Sequence, residues 1–153
     1  MRLRGPSLAL VAVVLVGCGT HGGGTGLSAS AARFHTVVRR AGARLEATGR
    51  NCSGLYGVWD VRLRLSGSAH GSGRTRFTLR RGREAEAPVS FRIRAGVLRG
   101  RAKGALRVRG RGSVLVVRGR VEVEVPFASR SATLDETIPV RRGPAPGCGL
   151  SAG

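Results

Sequence analysis

Hydrophobic and polar residues alternate in several segments of the second two-thirds of the chain. The alternation begins at Trp59, recurs around Phe77 and Phe91, and ends in the segment Ala132–Val140. A period of two indicates strands with one face toward a core and the other toward solvent. Pro139 has no backbone N–H to donate, so it places the last of these strands at a sheet edge. The pattern therefore predicts a mainly β, antiparallel domain.

The two longest alternating segments follow one another in the chain. From Leu98 to Arg109, small and apolar residues occupy one face and basic residues the other. The next segment, Ser113–Val125, would extend over roughly 44 Å as a strand. Strands of this length must twist and coil. They predict a curved antiparallel meander that forms a small barrel or a half-barrel.

A helical period is found before the strands, in Ala31–Thr48. Apolar residues three or four positions apart form one stripe, while Ser30 can cap the first turn and Gly49 can end the last. We expect one N-terminal amphipathic helix packed on the sheet; the alternative, given its basic face, is a helix on a membrane surface. The stripe consists of Phe34, Val37, Val38, Ala41 and Leu45.

Two-residue turns at Ala95-Gly96 and Arg111-Gly112 set the expected strand registers. The second turn would pair Arg101 with Glu122 on the outer face, where opposite charges favour this alignment. Both turns would also gather glycines on the inner face, in a furrow that admits either the helix or an apolar ligand. The residues expected along this furrow are Trp59, Phe91, Gly100, Gly104 and Gly119, with Gly104 opposite Gly119.

The first seventeen residues have the organisation of an export signal. Two arginines precede an apolar run that is too short to span a bilayer, and the run ends in Leu15-Val16-Gly17-Cys18. This tetrapeptide resembles the lipobox of bacterial lipoproteins, in which the cysteine receives a lipid and the chain is cut on its N-terminal side. The resemblance implies an extracytoplasmic protein, lipid-anchored through Cys18 to the inner or the outer membrane. The alternative is an ordinary secretory signal with a chance cysteine.

The predicted organisation is a signal peptide over residues 1–17, a glycine-rich tether over 18–30 and a single domain over 31–153. With Cys18 used by the lipid, Cys52 and Cys148 remain as an even pair in an oxidising compartment. We expect a disulfide between the start and the end of the domain. The alternative, two free thiols or a metal pair, lacks nearby His or Cys ligands.

Gly57-Val58-Trp59 opens the first of the predicted strands. This tripeptide resembles the Gly-x-Trp signature of lipocalins and related calycins, in which the tryptophan closes the floor of the barrel. The resemblance covers these three residues and implies an up-and-down barrel with an internal apolar ligand. The order of lipobox, tether, helix and curved strands is also similar to that of lipoproteins that carry lipids. Without either resemblance, Trp59 is a core residue.

Basic residues outnumber acidic ones by 27 to 8, which gives a formal net charge of +19. An excess of this size attracts polyanions. Export argues against nucleic acid as the partner and leaves anionic lipid headgroups and envelope polymers. The alternation places the basic residues on the outer face of the strands. The candidate residues for an anionic surface are Arg62, Arg64, Arg92, Arg94, Arg99, Arg101, Lys103, Arg107 and Arg109.

The sequence offers little for catalysis. His70 lies in a glycine-rich segment beside Ser68 and Ser72, but no carboxylate is placed to orient it as a hydrolase base would require. No cofactor motif and no metal-ligand spacing is present in the sequence. We therefore expect a non-enzymatic, membrane-anchored interaction or structural module whose basic surface favours anionic envelope components. The alternative is a carrier of a lipid or another apolar ligand in a lipocalin-like barrel.

Overall fold

A computed structural model describes residues 31–40, 42–144 and 147–148. The predicted signal peptide, the lipid site at Cys18 and the tether lie outside the described residues. The described part of the chain contains strands and no helix. The strands are β1 (Ala32–Arg40), β2 (Ala43–Asn51), β3 (Gly57–Gly67), β4 (His70–Leu79), β5 (Glu84–Ala95), β6 (Leu98–Arg111), β7 (Val114–Val125), β8 (Ala128–Pro139) and β9 (Arg141–Arg142).

All of these strands belong to one antiparallel sheet in the order β8-β7-β6-β5-β4-β3-β2-β1-β9. The expected long strands are confirmed, since β6 has 14 residues and β7 has 12. Only Val140 separates β8 from β9, yet β9 pairs with β1 at the opposite edge of the sheet. The chain therefore bridges the two edges, and the sheet is curled into a half-barrel, as predicted.

The two ends of the half-barrel carry different turns. One end, which we call the tip end, carries the β1–β2, β3–β4, β5–β6 and β7–β8 turns. The opposite end, the base, carries the connections at residues 52–56, 80–83 and 112–113 together with the passage from β8 to β9. The base is the end that β9 closes, because β9 pairs there with Ala32 and Arg33 at the start of β1.

The apolar face of the sheet points inward and forms one core around Trp59, which is fully buried at the base. The indole Nε1 donates a hydrogen bond to the backbone oxygen of Leu55 at 2.9 Å. Its ring centroid lies 5.5 Å from that of Phe34 and 6.5 Å from that of Phe77. This aromatic cluster fixes the first, third and fourth strands to one another.

The prediction of a helix over Ala31–Thr48 is wrong, because this segment forms the β1–β2 hairpin. Pairing with β2 satisfies the backbone groups of β3, which would otherwise be a free edge. The hairpin buries much of the same apolar stripe, since Phe34 and Val38 join the core from β1 and Leu45 from β2. Gly49 does not end a helix but lies within β2, where the Phe34 ring occupies the space that a Cβ would need.

Both expected turns are displaced by one residue, which shifts each register by two. The turns are Gly96-Val97 and Gly112-Ser113, and each glycine has a φ of +61°. Glycine at the first turn position is the type II′ preference, whereas the expected registers placed it second. Ile93 therefore faces Gly100. Every inner residue still points inward, because a shift of two preserves the facing.

On the outer face the same shift changes which charges are opposed. Arg101 faces Glu124 rather than Glu122, so the predicted pair is wrong. Gly104 faces Val121 and Gly119 faces Leu106, so the predicted glycine pair is wrong as well. Each of these residues still faces the strand that was predicted, but its partner lies two residues further along.

The Cys52–Cys148 disulfide is confirmed, with the two Cα atoms 5.2 Å apart across a sequence separation of 96. It ties the end of β2 to the segment that follows β9, where buried Cys148 packs against Ala31. Within the described ranges, no helix has the length and apolar character needed to cross a membrane.

Candidate ligand-binding site

The interior of the half-barrel contains two adjoining cavities. An inner cavity of about 70 Å³ lies toward the base, near Val108 and Ile138. An outer cavity of about 250 Å³ reaches the tip end at Ser68 and Ala69. Most of their lining residues are apolar. The two cavities share five lining side chains, so they lie next to each other along the line from the tip end toward the base. The side chains that line both are Val38, Leu45, Leu63, Leu106 and Leu134.

The glycines expected along an inner furrow do not line these two cavities. At Gly100 and Gly104, the backbone carbonyls of Glu124 and Arg120 occupy the space that a Cβ would need. Gly119 is crowded in the same way by the backbone of β6. These glycines therefore let β6 and β7 approach closely and coil, and the space for a ligand lies elsewhere in the interior.

The two aromatic residues expected along the furrow occupy different levels of the half-barrel. Phe91 lines the outer cavity, and its side chain packs where a Cβ on Gly73 would lie, 2.6 Å from the Phe91 Cβ. Trp59 lies in the base, below the cavities. The structure therefore brings only Phe91 to the candidate site.

Three charged side chains are at inward-facing positions of the strands β1 and β8. Arg40 and Arg130 line the outer cavity, and Glu136 lines the inner one. The Arg40 Nη2 lies 3.7 Å from the Glu136 Oε1, which forms a salt bridge between the two edges of the curled sheet. Arg130 makes no salt bridge within the described part of the chain. The mouth of the cavity is therefore electropositive.

A buried hydroxyl adds a polar contact deep in the apolar interior. Thr75 is 9% exposed and lines the inner cavity, and its Oγ1 has no hydrogen-bond partner among the described residues. Leaving such a group unsatisfied costs about 1–3 kcal/mol. A polar atom of a ligand, or a water molecule, can meet that hydroxyl in the cavity.

Sequence reasoning missed these four polar residues. Arg130 and Glu136 have the same parity as Leu134, so the alternation could have placed them inward. The last strand was predicted to begin only at Ala132, which left Arg130 outside it. Arg40 was assigned to a helix, and helical periodicity gives no strand face.

The predicted basic residues all lie on exposed positions of the outer face, but they do not form one cluster. Four of them meet on β5 and β6, where Arg92 faces Arg101 and Arg94 faces Arg99. Lys103 continues this row on β6. The remaining four are separated from it, with two on β3 across the intervening β4 and two nearer the base on β6. These are Arg62, Arg64, Arg107 and Arg109.

Carboxylates neutralise only some of the outer charges. The Lys103 Nζ lies 2.6 Å from a Glu124 oxygen, and this hydrogen bond raises the pKa of the lysine. Arg107 lies 3.8 Å from a carboxylate oxygen of Glu84. The other seven predicted basic residues make no salt bridge to any described residue. Like charges that face each other across strands are mutually destabilising, so this surface favours an anionic partner.

His70 begins β4 and faces Arg94 on the exposed side of the sheet. No carboxylate is hydrogen-bonded to it in the described residues. The same part of the chain contains no group of His, Cys, Asp or Glu side chains that could hold a metal ion.

No protein-family model, no curated protein and no solved structure matches the chain.

Proposed function

We propose that the half-barrel binds one single-chain amphiphile, such as a long-chain fatty acid, with its alkyl chain in the interior. The observation that carries this proposal is the apolar cavity open at the tip end and walled by side chains such as Leu106 and Leu134. Burial of an alkyl chain gains about 0.8 kcal/mol per CH₂ group. An interior of this kind therefore binds an aliphatic chain in preference to a polar solute.

The dimensions of the interior favour one chain over two. Along β6 the lining runs from Ala102 to Val108, a distance of roughly 20 Å at strand rise and roughly 15 Å in depth for a tilted strand. The cavity volumes of about 250 and 70 Å³ together lie at the lower end of ligand pockets, roughly 300–1,000 Å³. A narrow, deep space of this size accommodates a single extended chain.

The charges at the mouth favour an anionic headgroup. Arg130 is exposed at the rim of the outer cavity without a salt-bridge partner in the described ranges, and Arg40 lies on the opposite edge strand. Hydrogen bonds from a guanidinium to an oxyanion contribute roughly 1.5–3 kcal/mol. A carboxylate or phosphate held between these arginines would leave its alkyl chain pointing into the cavity.

A lipid-binding role agrees with the predicted location of the protein at a membrane surface. If Cys18 is lipidated, the half-barrel is held close to a membrane, which is both the source and the destination of amphiphiles. The protein would then act as a non-enzymatic, extracytoplasmic carrier or binder of lipid. Intact-mass analysis of the membrane-fraction protein, with Cys18→Ser as the control, tests the lipid and the cut site together.

The binding proposal is tested by filling the cavity. Ala132 lines the outer cavity on β8, whereas Ala105 is exposed on the outer face of β6. The full chain is titrated with a fluorescent long-chain fatty acid, and Ala132→Phe is compared with the matched control Ala105→Phe. We expect Ala132→Phe to bind roughly tenfold more weakly or worse, because the ring occupies ligand space, and Ala105→Phe to bind like the wild type. Absence of binding by the wild type, or equal effects of both variants, would contradict the proposal.

The contact between Arg130 and the headgroup is tested with a neutral ligand as the control. Arg130→Gln is expected to weaken binding of the fatty acid roughly tenfold and to leave binding of the corresponding fatty alcohol unchanged. An equal loss for both ligands would mean that Arg130 supports the shape of the mouth and makes no contact with an anion.

A second candidate function is an interaction module for anionic envelope polymers. The opposed arginines of β5 and β6 favour it, since a polyanion lying along this row would relieve their repulsion. Substitution of Arg92 and Arg101 by Gln should weaken binding to an anionic polymer and reduce its salt dependence, with fatty-acid binding unchanged. Unaltered polymer binding by this double variant would remove the candidate.

A further inference from the structure

Large apolar side chains are exposed at the tip end of the half-barrel. Among the described residues, four large hydrophobic side chains are conspicuously exposed. Val97 and Phe127 have relative exposures of 97% and 105%, and Leu98 one of 40%. All three lie in or beside the tip-end turns, whereas Val58, the fourth, lies near the base. A single exposed apolar side chain is ordinary, but a group of them at one end of a fold is typical of a docking surface.

The backbone holds Phe127 outward in a conformation that is uncommon for its type. Phe127 is the only non-glycine residue with a positive φ in the described part of the chain, at 68°. It follows Pro126 in the β7–β8 turn, at the position where turns of this shape usually require glycine. A bulky residue with positive φ is strained, and such strain is concentrated at functional sites.

Basic residues lie close in the chain to these apolar tips. Arg99 is two residues from Val97 and faces Arg94 across the β5–β6 hairpin, and Arg130 is three residues from Phe127. No carboxylate forms a salt bridge with any of these three arginines in the described ranges. Apolar tips with cations on the adjoining strands match the chemistry of an anionic bilayer, which offers hydrocarbon beneath a layer of negative headgroups.

We infer that the tip end docks onto an anionic membrane surface, with Phe127 and Val97 inserted among the acyl chains and the nearby arginines on the headgroups. The outer cavity opens at this same end. Docking therefore places the cavity mouth against the bilayer. A consequence that rests on the proposed function is that an amphiphile passes between membrane and half-barrel without crossing water.

The docking is tested with a fluorescent reporter at the tip. Phe127→Trp and the base-end control Val58→Trp are each made in the full chain and reconstituted with vesicles of phosphatidylglycerol and phosphatidylcholine that contain brominated lipid. Trp59 is fully buried in the core and gives the same background in both. We expect the emission of Phe127→Trp to shift to the blue and to be quenched by the brominated chains, and the emission of Val58→Trp to remain unchanged. A lipid anchor alone would not distinguish the two positions.

The charge requirement is measured with the same reporter. Quenching should fall sharply in pure phosphatidylcholine vesicles, and Arg130→Gln should lower the ratio of docked to undocked protein roughly fivefold on anionic vesicles. Equal quenching at both reporter positions, no quenching at Phe127→Trp, or equal quenching on neutral vesicles would overturn the inference. A blue-shifted Phe127→Trp emission without vesicles would also overturn it, because a second copy of the chain would then cover the tip.

The membrane-docking inference and the ligand-binding proposal can be refuted independently of each other. Loss of fatty-acid binding with normal quenching would refute the cavity proposal alone. Normal fatty-acid binding in solution without quenching would refute the docking alone.

Discussion

Removal of the Cys52–Cys148 disulfide is the perturbation with the largest expected effect on stability. The bond links the end of β2 to the segment after β9, so it spans nearly the whole described domain. The double variant Cys52→Ser, Cys148→Ser removes the crosslink with little change in side-chain volume. The neighbouring strand β9 pairs with β1 over two residues only.

The magnitude follows from the size of the closed loop. The two cysteines are 96 residues apart, and the chain-entropy model gives about 4.7 kcal/mol for a crosslink of that span. Small domains have total unfolding free energies of about 5–15 kcal/mol, so the bond would supply a third or more of the stability. For a domain of this size the corresponding fall in Tm is roughly 15–25 °C.

The assay is urea and thermal unfolding of the wild type and the double variant, each with and without reductant. Reduction of the wild type should lower its stability to that of the double variant, whereas reduction of the double variant should change nothing. A loss below about 1 kcal/mol would refute the reasoning, because the unfolded chain would then be constrained by residual structure rather than by the crosslink.

Three further outcomes follow from single contacts. Gly49→Ala should destabilise the fold by about 1–3 kcal/mol in urea unfolding, because its Cβ would overlap the buried ring of Phe34. Trp59→Phe should cost about 2–4 kcal/mol, since it leaves a cavity and removes the hydrogen bond to the Leu55 oxygen. The hydrogen bond that the Arg76 guanidinium donates to Asp60 lowers the pKa of this carboxyl below its ordinary value of 3.8. The ionised carboxylate therefore stabilises the fold above pH 3.8, and this stabilisation is lost as the pH falls through the lowered pKa. At this exposed site the stabilisation is less than about 1 kcal/mol, and Asp60→Asn should flatten the pH profile of stability.

The alternation of residues predicts the sheet well, because a register error of two residues leaves each side chain on the same face of its strand. Both hairpin registers were displaced by two residues, yet the inner residues of β6 and β7 were assigned to the correct face. The missing information was the turn type. Gly96 and Gly112 have positive φ and occupy the first turn position, as in a type II′ turn, whereas the predicted registers placed each glycine second.

The β1–β2 hairpin was missed because its apolar residues satisfy both periods. Phe34 and Val38 are four residues apart, a spacing that places them on one face of a helix and also on one face of a strand. The tertiary context decides between these, since β3 needs a partner along its edge. The inward charges Arg40 and Arg130 depended on that hairpin and on the true start of β8, so the candidate site could not be assembled from the sequence.

Because of the outer arginines, we expect the stability of the fold to depend on salt in an unusual way. In most small proteins salt weakens stabilising ion pairs, but here Arg94 faces Arg99 and Arg92 faces Arg101, and the formal net charge is +19. Repulsion outweighs the exposed ion pairs, so screening it should raise the free energy of unfolding between low and high ionic strength. Arg99→Gln should raise stability at low ionic strength and have less effect at high ionic strength, whereas a substitution at Arg107, which lies near Glu84, should not. A fall in stability with added salt would show that the ion pairs dominate, and it would remove the electrostatic reason for which this surface should seek an anionic partner.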